Sequence, residues 1–480
     1  MPTISGSHDG GCHLRLTPGS ACCSKAPSTT IVNVSWVKYL PGFLGERLKN
    51  RPLLQSMLGN SGWLLLDKLV RIGIGLVVGV WLARYLGPTR FGQFNFAIAF
   101  VALFSPIAIL GLDSLVVREL VRHPDKRREI LGSAFALKLA GGLIAFALAL
   151  AAVLTIDSQD ETRPWLVAVI AAGMLFQAFD VADLWFQSRM QSKYSVLAKN
   201  IAFLALTIAK IWLILSRAEV MSFAWVSTAE IALGALGLVI AFRSQGNRWL
   251  EIRPTWSVAR RLMRESWPLL LSSLGAMLFM RVDQVMLAQM VGESEVGVYA
   301  AAVRLSEVWY LMPPVMVLSV MPFLTAARGR SELVYYQRLQ QLFTLLVRVA
   351  LLVAIPMSLL ATPLVSLIFG SAYDASGSIL AIHVWSVVFV FIGAGTTPWI
   401  INERLAKLAL YQTSLGAVIN IAGNLYLIPL HGAIGAAIAT VCSQGISIWL
   451  ANFFLPGGRR LFWLQTNAML LGIRIKSPPR

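Results

Sequence analysis

Long apolar runs recur along most of the chain, each about as long as a helix that crosses a membrane. Such a helix needs about 20 mostly apolar residues to span a hydrocarbon core about 30 Å thick. The runs predict twelve spans, at 62–86, 93–117, 131–154, 164–187, 196–215, 221–242, 265–290, 297–324, 341–369, 377–401, 407–428 and 432–455. Because backbone polar groups find no water in hydrocarbon, we expect an all-α integral membrane protein.

The composition agrees with a membrane protein and argues against other classes. Of the 480 residues, 57% are hydrophobic and 13% are charged, and the mean hydropathy is +0.69. A soluble domain carries about 25% charged residues, so this chain could not cover its surface against water. The four cysteines have no CxxC spacing, and no motif for metal hydrolysis, serine catalysis or ATP use occurs. We therefore expect a transporter rather than an enzyme, with no cofactor and no metal site.

The formal net charge of +18 reflects membrane topology rather than nucleic-acid binding. Lys and Arg gather in the loops after even-numbered spans: residues 243–264 contain six arginines, whereas 291–296 and 370–376 contain no Lys or Arg. Basic residues are retained on the cytoplasmic side, so both termini are predicted to be cytoplasmic. The predicted parts are a cytoplasmic tail with a candidate interfacial helix (1–60), an N-lobe (61–242), a basic cytoplasmic linker (243–264), a C-lobe (265–455) and a basic cytoplasmic tail (456–480).

The two halves of the chain repeat each other at a constant offset of 205 residues. VWLARYLGPTRFGQF at 80–94 aligns with VMLAQMVGESEVGVY at 285–299. The alignment pairs two glycines of each half, as Gly87 with Gly292 and Gly92 with Gly297, and Pro88 follows the first of them. Two six-helix lobes that begin on the same side are parallel repeats, related by an axis along the membrane normal, with the substrate site between them.

These motifs resemble polysaccharide flippases of the Wzx type. The first half has WLARYLGP at 81–88 and Phe91-Gly92, and the second has RVDQVMLAQ at 281–289, GVYAAAVRLSE at 297–307 and PFL at 322–324. The resemblance covers residues 38 to 455, within a superfamily that also contains multidrug exporters and the peptidoglycan precursor flippase. It therefore implies a MATE-like fold.

The resemblance also implies a function in surface polysaccharide biosynthesis, such as that of O-antigen, lipopolysaccharide or exopolysaccharide. A polyprenyl-pyrophosphate-linked oligosaccharide would move from the inner to the outer leaflet of a bacterial inner membrane. The implied partners are this lipid-linked substrate, the bilayer, and polysaccharide polymerase and export machinery, without nucleic acid.

Two other functions are alternatives. A cation-coupled exporter of amphipathic drugs shares the architecture. A membrane-embedded glycosyltransferase, polymerase or ligase would need acidic catalytic or metal-binding residues on a sizeable external loop, and the longest outer loop, at about 155–164, is too short for one.

Ionisable residues inside spans are costly and generally face the interior of the bundle, so they are the candidates for a substrate pathway. The preferred site is a network between the lobes made of four residues in spans 7 and 8: Arg281, Asp283, Arg304 and Glu307. Arg304 and Glu307, three apart, can pair, whereas Arg281 and Asp283, two apart, point to different faces. Arginine suits a pyrophosphate because its guanidinium holds two oxygens at once.

Other charges in the spans are further candidates. For the pathway they are Asp67 and Arg71, four apart and able to neutralise each other, and the deeper cations Lys138 and Arg348, which have no acidic partner in their own helices. For proton or ion coupling they are Glu230, the single ionisable residue of span 6, and Asp180 and Asp183, which share a face of span 4. A structural pair or a hydrated rim is the simpler interpretation of several of these. The GxxxG spacing of Gly75 and Gly79 predicts close helix packing.

Overall fold

The computed structural model describes residues 52–156, 162–251, 253–403 and 405–470, which are almost entirely helical and include no strand. The chain divides into two units, Met1–Gly59 and Asn60–Arg480. In the first unit, the described residues 52–59 are helical. The predicted interfacial helix, the rest of residues 1–51 and the last ten residues of the predicted C-terminal tail (471–480) lie outside the described residues.

The helices are numbered here in chain order. They are α1 (Pro52–Ile109), α2 (Asp113–Arg122), α3 (Arg127–Ile156), α4 (Thr162–Phe176), α5 (Val181–Ser188), α6 (Ser192–Leu215), α7 (Val220–Ser244), α8 (Trp256–Met290), α9 (Glu293–Glu307), α10 (Met312–Arg328), α11 (Glu332–Leu359), α12 (Ala361–Phe369), α13 (Ala375–His383), α14 (Ser386–Glu403), α15 (Ala406–Gln444), α16 (Ala451–Phe454) and α17 (Arg459–Met469). Short 3₁₀ turns occur at Pro124–Lys126, Gln177–Asp180, Trp249–Glu251, Val308–Leu311 and Ser371–Tyr373, and a π-helical stretch at Gly445–Leu450.

Within the described residues, ten helical segments are long and apolar enough to cross a membrane. Eight of them match single predicted spans, while Lys68–Arg122 and Leu408–Phe454 each cover two. Both long segments contain a glycine with a non-helical backbone, Gly87 (φ 70°, ψ 171°) and Gly432 (φ 55°, ψ −134°). The all-α, multi-pass membrane fold is therefore confirmed, whereas the count of twelve, the lobe boundaries and the cytoplasmic termini stay predictions.

The two repeat motifs form equivalent turns. Gly87 separates the two arms of α1, and Gly292 (φ 125°, ψ 173°) separates α8 from α9. L-residues with a side chain rarely adopt such positive φ angles, so both turns need glycine. The 205-residue alignment thus relates two turns with similar backbone geometry.

The end of the bundle that carries the turns at Gly87 and Gly292 is called the closed end. There the two halves share one hydrophobic core. Leu82 and Phe91 of the first half are buried in the same cluster as Leu287, Tyr299 and Tyr373 of the second.

A second cluster joins α2, α3 and α5 and includes Val258 and Leu262 from the start of α8. The first turns of α8 therefore pack on the first half.

The two halves meet backbone to backbone at the closed end. A Cβ added to Gly92 would overlap the Glu293 carbonyl oxygen and lie 2.9 Å from the Gly297 nitrogen. A Cβ added to Gly297 would overlap the Pro88 carbonyl oxygen and lie 3.1 Å from the Gly92 nitrogen. Glu293 follows Pro88 by the same 205 residues, so the two contacts are reciprocal. This reciprocity is what a twofold relation between parallel repeats requires.

Candidate functional site

A cavity of about 420 Å³ lies between α1 of the first half and α8 and α9 of the second. Its polar lining consists of Arg71 and Asn95 from α1, Arg281 and Gln284 from α8, and Arg304 and Glu307 from α9. Three arginines and one glutamate therefore face one space, which makes the charge of this lining positive.

The cavity lies deep in the bundle. Arg281 precedes Gly292 by 11 residues and Arg304 follows it by 12. At a rise of 1.5 Å per residue, these arginines are about 17 and 18 Å from the turn along their helices. For a turn at the membrane surface, that depth corresponds to about the middle of a hydrocarbon core about 30 Å thick.

Three of the four residues of the predicted network line the cavity, and the fourth does not. A distance of 3.6 Å separates the Arg281 guanidinium from the Glu307 carboxylate. Asp283 is buried away from the cavity, where it accepts hydrogen bonds from the Tyr299 hydroxyl and, at 2.8 Å, from the Gln284 backbone N–H. Arg281 and Asp283 thus point in different directions, as expected of residues two apart on a helix.

Arg304 does not make the ion pair with Glu307 that their spacing allows. Its guanidinium carbon lies 5.7 Å from the centre of the Phe91 ring, on α1. A Cβ added to Gly79 would overlap this guanidinium, whereas one added to Gly75 would meet nothing within 4 Å. Gly79 therefore admits the close packing of an α9 side chain, whereas Gly75 faces the cavity and admits no packed neighbour.

Arg71 connects the cavity to charges inside the first half. Its guanidinium lies 3.7 Å from the Glu230 carboxylate, which also accepts a 2.9 Å hydrogen bond from Lys210. Glu230 is thus neutralised by cations from α1 and α6, partners that its own helix does not provide. The predicted Asp67–Arg71 pair cannot be assigned, because the Asp67 side chain lies outside the described residues.

The other candidate charges lie away from the cavity lining. Lys138, with a side chain only 2% exposed, binds Asp113 at 2.5 Å between α3 and α2. Lys199 binds both Asp180 and Asp183, at 2.9 and 2.7 Å. Arg348 is exposed on α11.

Polar contacts also hold the closed end together. Arg163 at the start of α4 binds Glu293 at the start of α9 over 2.5 Å, and the two side chains are only 15% and 11% exposed. The Tyr373 hydroxyl donates a 2.7 Å hydrogen bond to the Ala83 carbonyl oxygen. Burial raises the pKa of Tyr373, so this hydroxyl keeps its proton and acts as a donor. Each of these bonds joins the first half to the second.

Sequence reasoning missed Asn95 and Gln284 because it searched for charged residues. For Asn95 a signal was available in the repeat offset, since the cavity lining includes the offset pairs Leu76/Arg281, Asn95/Ala300, Ile98/Val303 and Ala99/Arg304, whereas Gln284 has no offset partner in the lining. The two halves therefore contribute equivalent positions but unequal charges, with the arginines of these pairs all in the second half.

Two curated relatives come from Haloferax volcanii. The probable flippase AglR is 29% identical over 244 residues, which cover 48% of this chain and 48% of the relative. The probable low-salt glycan biosynthesis flippase Agl15 is 23% identical over 211 residues, which cover 42% of this chain and 43% of the relative. The chain thus spans about half the length of the curated relatives it matches.

Two solved structures share the fold. The lipid II flippase MurJ in an inward closed conformation has a TM-score of 0.65 at 13% identity, over 84% of this chain and 90% of that one. An inward-facing multidrug resistance MATE family transporter of the MOP superfamily has a TM-score of 0.64 at 17% identity, over 84% and 95%. The MATE-like fold is therefore confirmed.

A family model described as polysaccharide biosynthesis protein matches residues 57–326. Because that match spans more than half of the chain, and the fold agrees with it, the protein belongs to the polysaccharide biosynthesis protein family.

Proposed function

We propose that this protein is a flippase that moves a polyprenyl-pyrophosphate-linked oligosaccharide from the inner to the outer leaflet of a bacterial inner membrane. The unit would then pass to polysaccharide polymerase and export machinery on the outer side. Membership of a polysaccharide biosynthesis family and two relatives named as probable flippases support this proposal.

The energetic barrier to unassisted crossing explains why such a protein is needed. Each sugar hydroxyl that enters hydrocarbon without a hydrogen-bond partner costs about 2–7 kcal/mol. A head group with many hydroxyls and a charged diphosphate therefore crosses only where polar side chains replace its water. The lipid tail needs no such help and can remain in the bilayer.

The observation that carries the proposal is the meeting of Arg71, Arg281 and Arg304 in one cavity. A guanidinium binds phosphate oxygens in pairs and stays charged at any physiological pH. Asn95 and Gln284 add uncharged donors and acceptors that suit sugar hydroxyls. The lining as a whole therefore fits an anionic glycan head group.

The arrangement of the halves supports alternating access. The cavity lies between them, and the closed end bounds it with contacts that join one half to the other, centred on Gly92 and Gly297. If these contacts separate, the cavity gains an opening at that end. Parallel-repeat transporters rock their two lobes in this way.

The same charge argues against export of cationic drugs. An amphipathic cation entering this cavity would meet three arginines and one carboxylate, and like charges in a low-dielectric space repel strongly. A multidrug resistance MATE family transporter shares the fold, but the fold alone does not specify the substrate. Coupling through Glu230, Asp180 or Asp183 stays a prediction, since each carboxylate has a lysine partner in this conformation.

A deletion strain tests the proposal directly. We expect lipid-linked repeat units to accumulate on the cytoplasmic leaflet and surface glycan to be lost. Normal surface glycan together with reduced resistance to cationic dyes would instead identify an exporter.

Complementation of that strain tests the site. Arg281→Ala and Arg304→Ala should abolish surface glycan at unchanged protein abundance, and Arg281→Lys should restore it in part because it keeps the charge but loses the paired hydrogen bonds. Arg264→Ala is the matched control, since Arg264 is an exposed arginine of the same helix α8, outside the cavity. Full export by both cavity variants would remove these arginines from the mechanism.

A further inference from the structure

Arg304 lies at the border between the cavity and the closed end. Its backbone belongs to α9 in the second half, and its side chain lines the cavity. Its guanidinium, however, packs on Phe91 and against Gly79, both in α1 of the first half. This arginine therefore joins the two halves through a contact that is reachable from the cavity.

The position of the guanidinium leaves part of its hydrogen-bonding capacity unused. Its Nη1 atom is buried and has no hydrogen-bond partner within the described part of the chain. Glu307, one turn away, lies beside Arg281 instead. An aromatic ring attracts a cation but accepts no strong hydrogen bond. A phosphate group in the cavity would offer the charged acceptor that this guanidinium lacks.

Phe91 links Arg304 to the contacts that keep the closed end shut. It precedes Gly92, which touches Glu293 and Gly297 of the second half. Its ring also meets the Tyr373 ring edge to face, with centroids 6.2 Å apart. The Tyr373 hydroxyl in turn binds the Ala83 carbonyl oxygen at 2.7 Å. A continuous series of contacts thus runs from the cavity to the closed end.

We propose that Arg304 senses whether an anion occupies the cavity and controls the closed end accordingly. In the empty cavity the guanidinium rests on Phe91 and Gly79 and holds the two halves together. A diphosphate draws the guanidinium away, which removes its support from Phe91 and loosens the closed end. Arg304 contacts the substrate in this scheme, which rests on the anionic substrate of the proposed function.

The first experiment displaces Arg304 without changing any charge. Gly79→Ala places a methyl group where the guanidinium lies, whereas Gly75→Ala, one turn away, adds the same methyl group to open space. Spin labels at Thr89→Cys and Ser294→Cys report on the closed end, since both residues are exposed and are related by the 205-residue offset. The background has the four native cysteines replaced.

Without ligand, we expect Gly79→Ala to add a longer component to the distance distribution between the labels, and Gly75→Ala to match the unsubstituted protein. Equal distributions for the two variants would overturn the proposal. If Gly79→Ala does not fold, Arg304→Gln replaces it, because loss of the cation should also lengthen the distance.

The second experiment uses inorganic pyrophosphate and separates this proposal from the proposed function. Pyrophosphate should lengthen the distance between the two spin labels in the labelled protein with native Arg304. It should leave the distance unchanged in the labelled Arg304→Gln variant. Calorimetric binding without a change of distance would refute the sensor and leave the anion site standing. Absence of any binding would refute the anion site, whereas the comparison of Gly79→Ala with Gly75→Ala still decides the link between Arg304 and the closed end.

Discussion

Adding one methyl group to Gly92 or to Gly297 should push the two halves apart at the closed end. Each added Cβ would overlap a backbone carbonyl oxygen of the opposite half, that of Glu293 or that of Pro88. A carbonyl held in a helix cannot rotate away as a flexible side chain can. The strain is therefore relieved only by separating the two helices.

The size of the effect follows from the cost of overpacking, about 1–3 kcal/mol for an extra methyl group in a tight site. This cost falls on the closed conformation alone, so the ratio of closed to open molecules should drop about 5- to 150-fold. Alanine also favours a helix over glycine by about 1 kcal/mol, in both conformations. Stability against unfolding should therefore change little while the conformational equilibrium shifts.

Because the two contacts are reciprocal, the two single variants should have similar effects, and the double variant should cost less than their sum. Helices that have separated to admit one Cβ already leave room for the other, and neighbouring substitutions are commonly non-additive in this way. The distance between spin labels at Thr89 and Ser294 measures the equilibrium. Gly75→Ala is the control, since it gains the same helix propensity without a clash.

Two results would refute this reasoning. The first is an unchanged label distance in both single variants, which would mean that the closed end tolerates the methyl groups. The second is an effect of one variant without the other, which would mean that the two contacts are not equivalent.

Three further predictions concern the ion pairs. Arg163→Glu should open the closed end, because it leaves the largely buried Glu293 beside a like charge, which destabilises the closed conformation by about 3–5 kcal/mol. Adding Glu293→Arg should restore the label distance. Failure of this rescue would contradict a direct pair. Glu307→Gln should tighten binding of inorganic pyrophosphate in calorimetry, since the carboxylate 3.6 Å from Arg281 competes for it; weaker binding would show that Glu307 is itself part of the binding site. Lys138→Met should change the unfolding temperature in detergent little. Its partner Asp113 is 53% exposed and can be hydrated, and the substitution removes a buried ammonium. A large loss of stability would show that the ion pair is essential.

The fold was accessible from the sequence because its signals are local or repeated. Hydrophobic length alone predicts a membrane-spanning helix, since the bilayer sets how many apolar residues are needed. The offset of 205 residues aligned Gly87 with Gly292, and the structure has a turn with positive φ at each of them, where only glycine fits without strain. The family motifs sit at those same turns.

The partners of the charged residues were not accessible in the same way. The spacing of Arg304 and Glu307 allows a pair. In the structure, however, Arg304 packs on Phe91 and against Gly79 of α1. Glu307 lies beside Arg281 of α8 instead. Glu230 likewise found its cations on α1 and α6. Sequence spacing determines only which residues share a face of one helix, whereas the packing of helices far apart in the chain decides which faces meet.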